Sequence, residues 1–278
     1  MESTAERFKK LFLTNPMKME VVRFKARFVN CTSNPKLNRA LVVLVVTGYL
    51  CILGLIAADR HDISQSSEAV GTLLMIQAGL IVFGAVLGGH GAIASERDKR
   101  SWDLLQVAPI SQAQIVVGKF QGLLALVGLL SLGMLPMVLL LMPFSVATLW
   151  SVLVGECIVM SFGSAVAAFT LYLSARLKNA NTALAAAVAS IVAVFVVAPL
   201  AIGAAVAIAG LGNALADLLM IWHPFYVLVR IFFPFPPSEN LLPIVRQLSG
   251  FPQIAGYMLL TYLFLNATTN LLNRKSRQ

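Results

Sequence analysis

The sequence predicts an all-α polytopic membrane protein: six transmembrane helices, an N-terminal interfacial helix and a short cytoplasmic helix between the second and third spans. Three observations predict it. Hydrophobic residues make up 58% of the 278 and charged residues 12%, against roughly 45–50% and about 25% in a soluble domain. Six apolar runs approach or exceed the length that crosses a bilayer. Lys and Arg collect on one side of those runs and avoid the other.

Crossing ~30 Å of hydrocarbon takes about 20 residues at 1.5 Å each. Residues 40–58, 69–94, 115–142, 148–175 and 180–210 form five such runs. A sixth, 254–272, is of similar length and carries Asn266, Thr268, Thr269 and Asn270 towards its end. Short inner loops collect Lys and Arg. With the N-terminus inside, the segments assigned to the cytoplasm hold nine, four, two and three of them, eighteen of the 21, and the outer loops hold only Arg60, Arg230 and Arg246. Both termini are therefore expected in the cytoplasm, in a bacterial cytoplasmic or other plasma membrane. The chain divides into a lead (1–39), a membrane domain (40–272) and a tail (273–278).

Within the lead, Met17, Val21, Phe24 and Phe28 recur at helical spacing, with Lys18, Arg23, Lys25 and Arg27 elsewhere on the wheel. That pattern predicts an amphipathic helix on the inner leaflet. The first apolar run starts only near Ala40, so it is expected to act as its own uncleaved signal. The basic excess, net +9, adjoins membrane segments and points to lipid head groups, not to nucleic acid. Cys31, Cys51 and Cys157 have no C-x-x-C spacing, and His61, His90 and His223 are scattered, so no disulfide or metal site is expected.

Residues 211–253 are expected to form an outer or re-entrant segment. The stretch 215–233 is apolar, yet His223 and Pro224 lie at its middle, where proline removes a backbone donor. A crossing there would also carry Arg274, Lys275 and Arg277 to the outside. Inside the spans, Gly84 with Gly88 and Gly118 with Gly122 predict close helix packing within one subunit. Pro136 and Pro199 predict kinks. Glu156, near the middle of the fourth span, costs about 2.5–3.5 kcal/mol or more if ionised and unpaired. It is either a pathway or coupling residue, or a protonated or hydrogen-bonded carboxyl facing a neighbouring helix.

The loop 94–111 is the most charged stretch of the chain. Glu96 stands at helical spacing from Lys99 and Arg100, where ion pairs form. Trp102, Leu104 and Leu105 give the loop an apolar edge. A short helix ending before Pro109 fits, with Ser111 placed to cap the third span. The order Glu96-Arg97, Ser101-Trp102, Asp103, Leu104-Leu105, Pro109-Ile110-Ser111 and Gly118-Lys119 resembles the first inner loop of permease subunits of type 2 ABC transporters, the ABC exporter class. Ser101-Trp102 stands where Gly-Thr is commoner. Asn15-Pro16 before the basic helix is similar to that family's elbow helix, Leu173-Ser174-Ala175-Arg176 to its second inner loop, and His223-Pro224-Phe225-Tyr226 to its Pro-Phe element.

The resemblance implies an export permease that forms a translocation pathway and couples to a separate ATPase. It places a coupling helix in 94–111, with Glu96, Arg97, Ser101, Trp102, Asp103, Leu104, Leu105 and Pro109 docking into a cytosolic ABC ATPase subunit. It also implies a second permease subunit, as homodimer or heterodimer. No G-x-x-x-x-G-K-[ST] occurs, since Phe120 follows Gly118-Lys119. The chain is therefore expected to be no enzyme by itself and to carry no cofactor, ATP and Mg²⁺ belonging to the partner. The alternatives are an ATP-independent channel or a secondary transporter using Glu156 for proton coupling, which would be expected to show inverted repeats, and a membrane-embedded enzyme, which would need clustered His or Asp.

Overall fold

The computed structural model describes residues 67–98, 102, 109–210, 220–233 and 250–275. The expected first span, the N-terminal helix, Ser101, Asp103, Leu104 and Leu105 lie outside the described residues. All regular structure within them is helical.

Helix α1, Glu68–Gly89, covers most of the expected second span. Val70, Leu74, Gln77, Ala78, Ile81 and Ala85 form its buried face, while Ile76, Leu80, Phe83 and Leu87 are exposed. A helix apolar on both faces has no water-facing side. The continuous helix stops inside the expected run: residues 90–93 turn, and a five-residue helix α2, Ala94–Asp98, follows. Helix α3, Gln112–Leu141, starts on a capping box in which Ser111 and Gln114 bond reciprocally, as expected of Ser111, and it contains Pro136. Helix α4, Leu149–Arg176, is capped by the Thr148 side chain, which accepts from Ser151 N.

The fifth apolar run is broken into α5, Ala180–Val192, a π-helical turn, Ala193–Val197, and α6, Ala198–Ile208. The cause is Pro199. It has no N–H to give the Phe195 carbonyl four residues earlier, and its ring crowds that carbonyl; the ladder reopens as a π turn. The expected kink is thus a local change of helix type. Helix α7, Pro224–Phe232, has nine residues, roughly 14 Å, too short to cross. Helix α8, Phe251–Lys275, covers the expected sixth span.

Among the described residues, four stretches are long and apolar enough to cross a membrane: Glu68–Asp98, Gln112–Leu141, Leu149–Arg176 and Ala180–Ile208. The helix expected as the sixth span is long enough but is not one of the four, because Asn266, Asn270, Asn273 and three threonines dilute its apolar surface. Thr261, Thr268 and Thr269 return their hydroxyls to the carbonyls of Tyr257, Phe264 and Leu265 at 2.7–2.9 Å, so these polar groups are satisfied within the helix.

Helix α4 is the hub, with α1, α3, α5, α7 and α8 all packed on it. Small residues let them approach. A Cβ on Gly163 would collide with Ile81 of α1 and come within 3.1 Å of Val127 of α3. Gly84 and Gly88 face Leu123, Leu126 and Leu130 of α3, so this pair serves packing inside the chain.

Candidate functional site

Two polar constellations interrupt the apolar bundle. The first lies where α1 and α4 end and α3 begins, and it is built around the turn 90–98. Ser174, fully buried in the last turns of α4, accepts hydrogen bonds at 3.0 Å from the amides of both Ile93 and Ala94. These amides open α2 and have no intrahelical partner. Arg97 on α2 reaches back, donating to the carbonyls of Ser174 (3.0 Å), Ala175 and Leu177 (3.4 Å). A cation over the terminal carbonyls of a helix satisfies free acceptors and opposes the negative dipole end, worth up to ~2 kcal/mol when partly buried. Asp98 Oδ2 accepts from Ala180 N at 3.3 Å, at the first residue of α5.

Glu96 turns the other way. Its Oε1 meets Lys119 Nζ at 2.7 Å, with the lysine side chain only 3% exposed. Lys99 and Arg100, at helical spacing from Glu96, lie outside the described residues; the described ion pair of Glu96 runs to α3, 23 residues on. Sequence alone could have flagged it only through Lys119, a cation inside an apolar run. Trp102, expected as an anchor docking into the ATPase, is 6% exposed and lies in the hydrophobic core of this chain. Pro109 is exposed. Arg97, Glu96 and Trp102 thus join two loops and three helices into one body.

The second constellation centres on Glu156 of α4. Its Oε2 accepts from Gln77 Nε2 of α1 at 2.8 Å and from Ser131 Oγ of α3 at 2.9 Å, and Gln77 Nε2 also donates to Ser131 Oγ at 2.9 Å. The carboxyl thus faces neighbouring helices and bonds to both. Neither partner stands out in the sequence, since a Gln and a Ser within apolar runs are common and only the three-helix packing brings them together.

At the opposite end from α2, α7 folds back against the bundle. Ser67 donates from its hydroxyl to the Phe232 carbonyl. At the other end of α7, His223 caps the helix: Nδ1 accepts from Tyr226 N at 3.3 Å, which leaves Nε2 as the protonated nitrogen, 3.2 Å from the Phe195 carbonyl. That carbonyl is the one Pro199 leaves without a partner. Burial holds the imidazole below its ordinary pKa of 6.5, opposed by the bond to Phe195. Among the described residues no group of three or more His, Cys, Asp or Glu is placed to hold a metal ion.

A model of the family described as ABC-2 family transporter protein matches residues 18–270. No curated protein matches the chain.

Proposed function

The chain belongs to the ABC-2 transporter family, a multi-pass membrane permease, and from that premise we propose that it is one half of an ATP-driven exporter whose motor is a separate cytosolic ABC ATPase. Six spans with both termini in the cytoplasm, and a second permease subunit completing the pathway, are part of this reading. The eighteen-to-three partition of basic residues supports the orientation. Helix α8 then supplies the last span, and the described part of 211–253 a re-entrant element. ATP and Mg²⁺ act on the partner.

The observation that carries the reading is the double anchorage of the 94–98 helix. A motor can move membrane helices only if the element it grips is stiffly tied to them. Arg97, Asp98 and Ser174 tie that helix to the end of α4 and the start of α5, and Glu96 ties it to α3 through Lys119. A push on the loop is thereby delivered to three spans. In this arrangement Glu96 and Arg97 act inward as struts, Trp102 braces the loop from within, and Asp103, Leu104, Leu105 and Pro109 are the residues presented to the ATPase.

The test is to express the full chain with its ATPase and measure co-purification and vanadate-sensitive ATP hydrolysis. Substituting Asp103, Leu104 and Leu105 together by Ala is expected to abolish co-purification while membrane insertion persists. Arg97→Ala is expected to retain the complex but uncouple hydrolysis from transport. An unchanged complex after the triple substitution overturns the docking assignment.

A further inference from the structure

The cluster of Gln77, Ser131 and Glu156 can be counted atom by atom. Gln77 donates from Nε2 to Ser131 Oγ and to Glu156 Oε2, which lie 2.9 Å from each other. Ser131 has one hydrogen, which also goes to Glu156 Oε2. Two acceptors remain, Glu156 Oε1 and Gln77 Oε1, both buried and both without a partner. Turning the Gln77 amide over does not help. Its oxygen would then face the hydroxyl and the carboxyl oxygen that its NH₂ now satisfies, and the count of donors would not rise.

Leaving two buried acceptors empty costs the desolvation of each, and more if one belongs to an anion. Among the described residues, no Lys, Arg or His hydrogen-bonds to Glu156 to supply a compensating charge. On the helices packed around α4, Glu68 stands at the start of α1 and His90 just beyond its end. Lys119 of α3 is held by Glu96, Arg230 of α7 donates to the Tyr226 hydroxyl, and Arg274 lies in the last turn of α8.

We infer that Gln77, Ser131 and Glu156 form a proton-binding site, in which Glu156 carries one proton on Oε1 and donates it to Gln77 Oε1. The carboxylic acid and the primary amide then exchange hydrogen bonds. The amide N–H goes to the acid carbonyl and the acid O–H to the amide carbonyl. One proton fills both empty acceptors, and Ser131 completes the acid carbonyl. The proton joins α1, α3 and α4 by a neutral clasp, and by reciprocity whatever separates α1 from α4 weakens its hold on the proton. The site thus differs from a permanent carboxylate that binds cationic cargo.

The experiment uses the full chain in lipid nanodiscs at neutral pH, read by infrared spectroscopy and by thermal stability. Wild type is expected to show a protonated-carboxyl C=O band that shifts on hydrogen–deuterium exchange and disappears in Glu156→Gln. That substitution offers an NH₂ where the acid O–H stood, so its stability is expected to match wild type. Glu156→Leu is expected to lower it. Absence of the acid band in wild type, or persistence of that band in Glu156→Gln, overturns the inference. So does a Glu156→Gln protein that fails to fold or melts as low as Glu156→Leu. The ATPase docking assignment is untouched by any of these results, since it is read by co-purification.

Discussion

At the scale of single residues, charged groups in this chain are placed by what they hold together. Lys119 sits in an apolar helix, and its ammonium is tolerated because Glu96 meets it at 2.7 Å. Removing one partner of a buried pair leaves the other uncompensated, at a cost of roughly 3–5 kcal/mol. Glu96 is partly exposed, which sets the expectation at the low end. Glu96→Gln is therefore expected to destabilise the protein more than the double replacement Glu96→Gln with Lys119→Met, measured as thermal melting in detergent. His223 gives a pH prediction. Its pKa is lowered from 6.5 by burial, so the neutral ring's contribution to seating α7 is complete above pH 6.5 and is lost as pH falls through the lower folded value. Hydrogen exchange at Tyr226 and Val227, corrected for intrinsic rate, is expected to accelerate on acidification in wild type. In His223→Asn, which caps without titrating, it is expected not to.

At the scale of elements, proline and glycine decide where helices bend and meet. Pro199 leaves the Phe195 carbonyl free, and the His223 ring takes it; in a membrane such a carbonyl has no water to turn to. Pro199→Ala restores an N–H at the right place and is expected to convert the π turn to α-helix, breaking the tie to His223. The readout is faster hydrogen exchange across Tyr226–Phe232 with α5 unchanged. Gly163 marks the tightest crossing of α1 and α4. Gly163→Val is expected to cost about 1–3 kcal/mol by overpacking, seen as a lower melting temperature and weaker assembly. The short α7 shows how local chemistry overrides composition. His223 caps it and Pro224 starts it, and an apolar stretch that could be mistaken for a span holds a nine-residue helix.

At the scale of the molecule, α4 is enclosed by its neighbours while the fifth run lies almost bare, with Val194, Leu200 and Ile208 at 56%, 70% and 87% exposure. Bare apolar helix is what lipid or another membrane subunit covers. Cysteine labelling tests the proposed orientation: a cysteine at exposed Pro109 and one at exposed Arg274 are expected to react from the same side, and one at exposed Trp150 from the other. Labelling of Pro109→Cys from the side of Trp150→Cys would leave the 94–98 helix out of reach of any cytosolic motor.

The amino-acid sequence by itself determined the helical membrane class, the positions of the four apolar stretches able to cross a membrane, the capping of α3 by Ser111, the break near Pro199 and the short element after His223. Each of these depends on residues within a turn or two of one another, or on hydropathy summed along a run. Tertiary structure alone decided the partners of the ionic and polar groups: Glu96 with Lys119, Arg97 with the end of α4, and Glu156 with Gln77 and Ser131. Such pairs join residues 23 to 80 positions apart. The helical period tells which face a residue occupies, but it leaves open which other helix, at which height, will face it. The small residues of α4 make that choice when they let α1 and α3 close upon it.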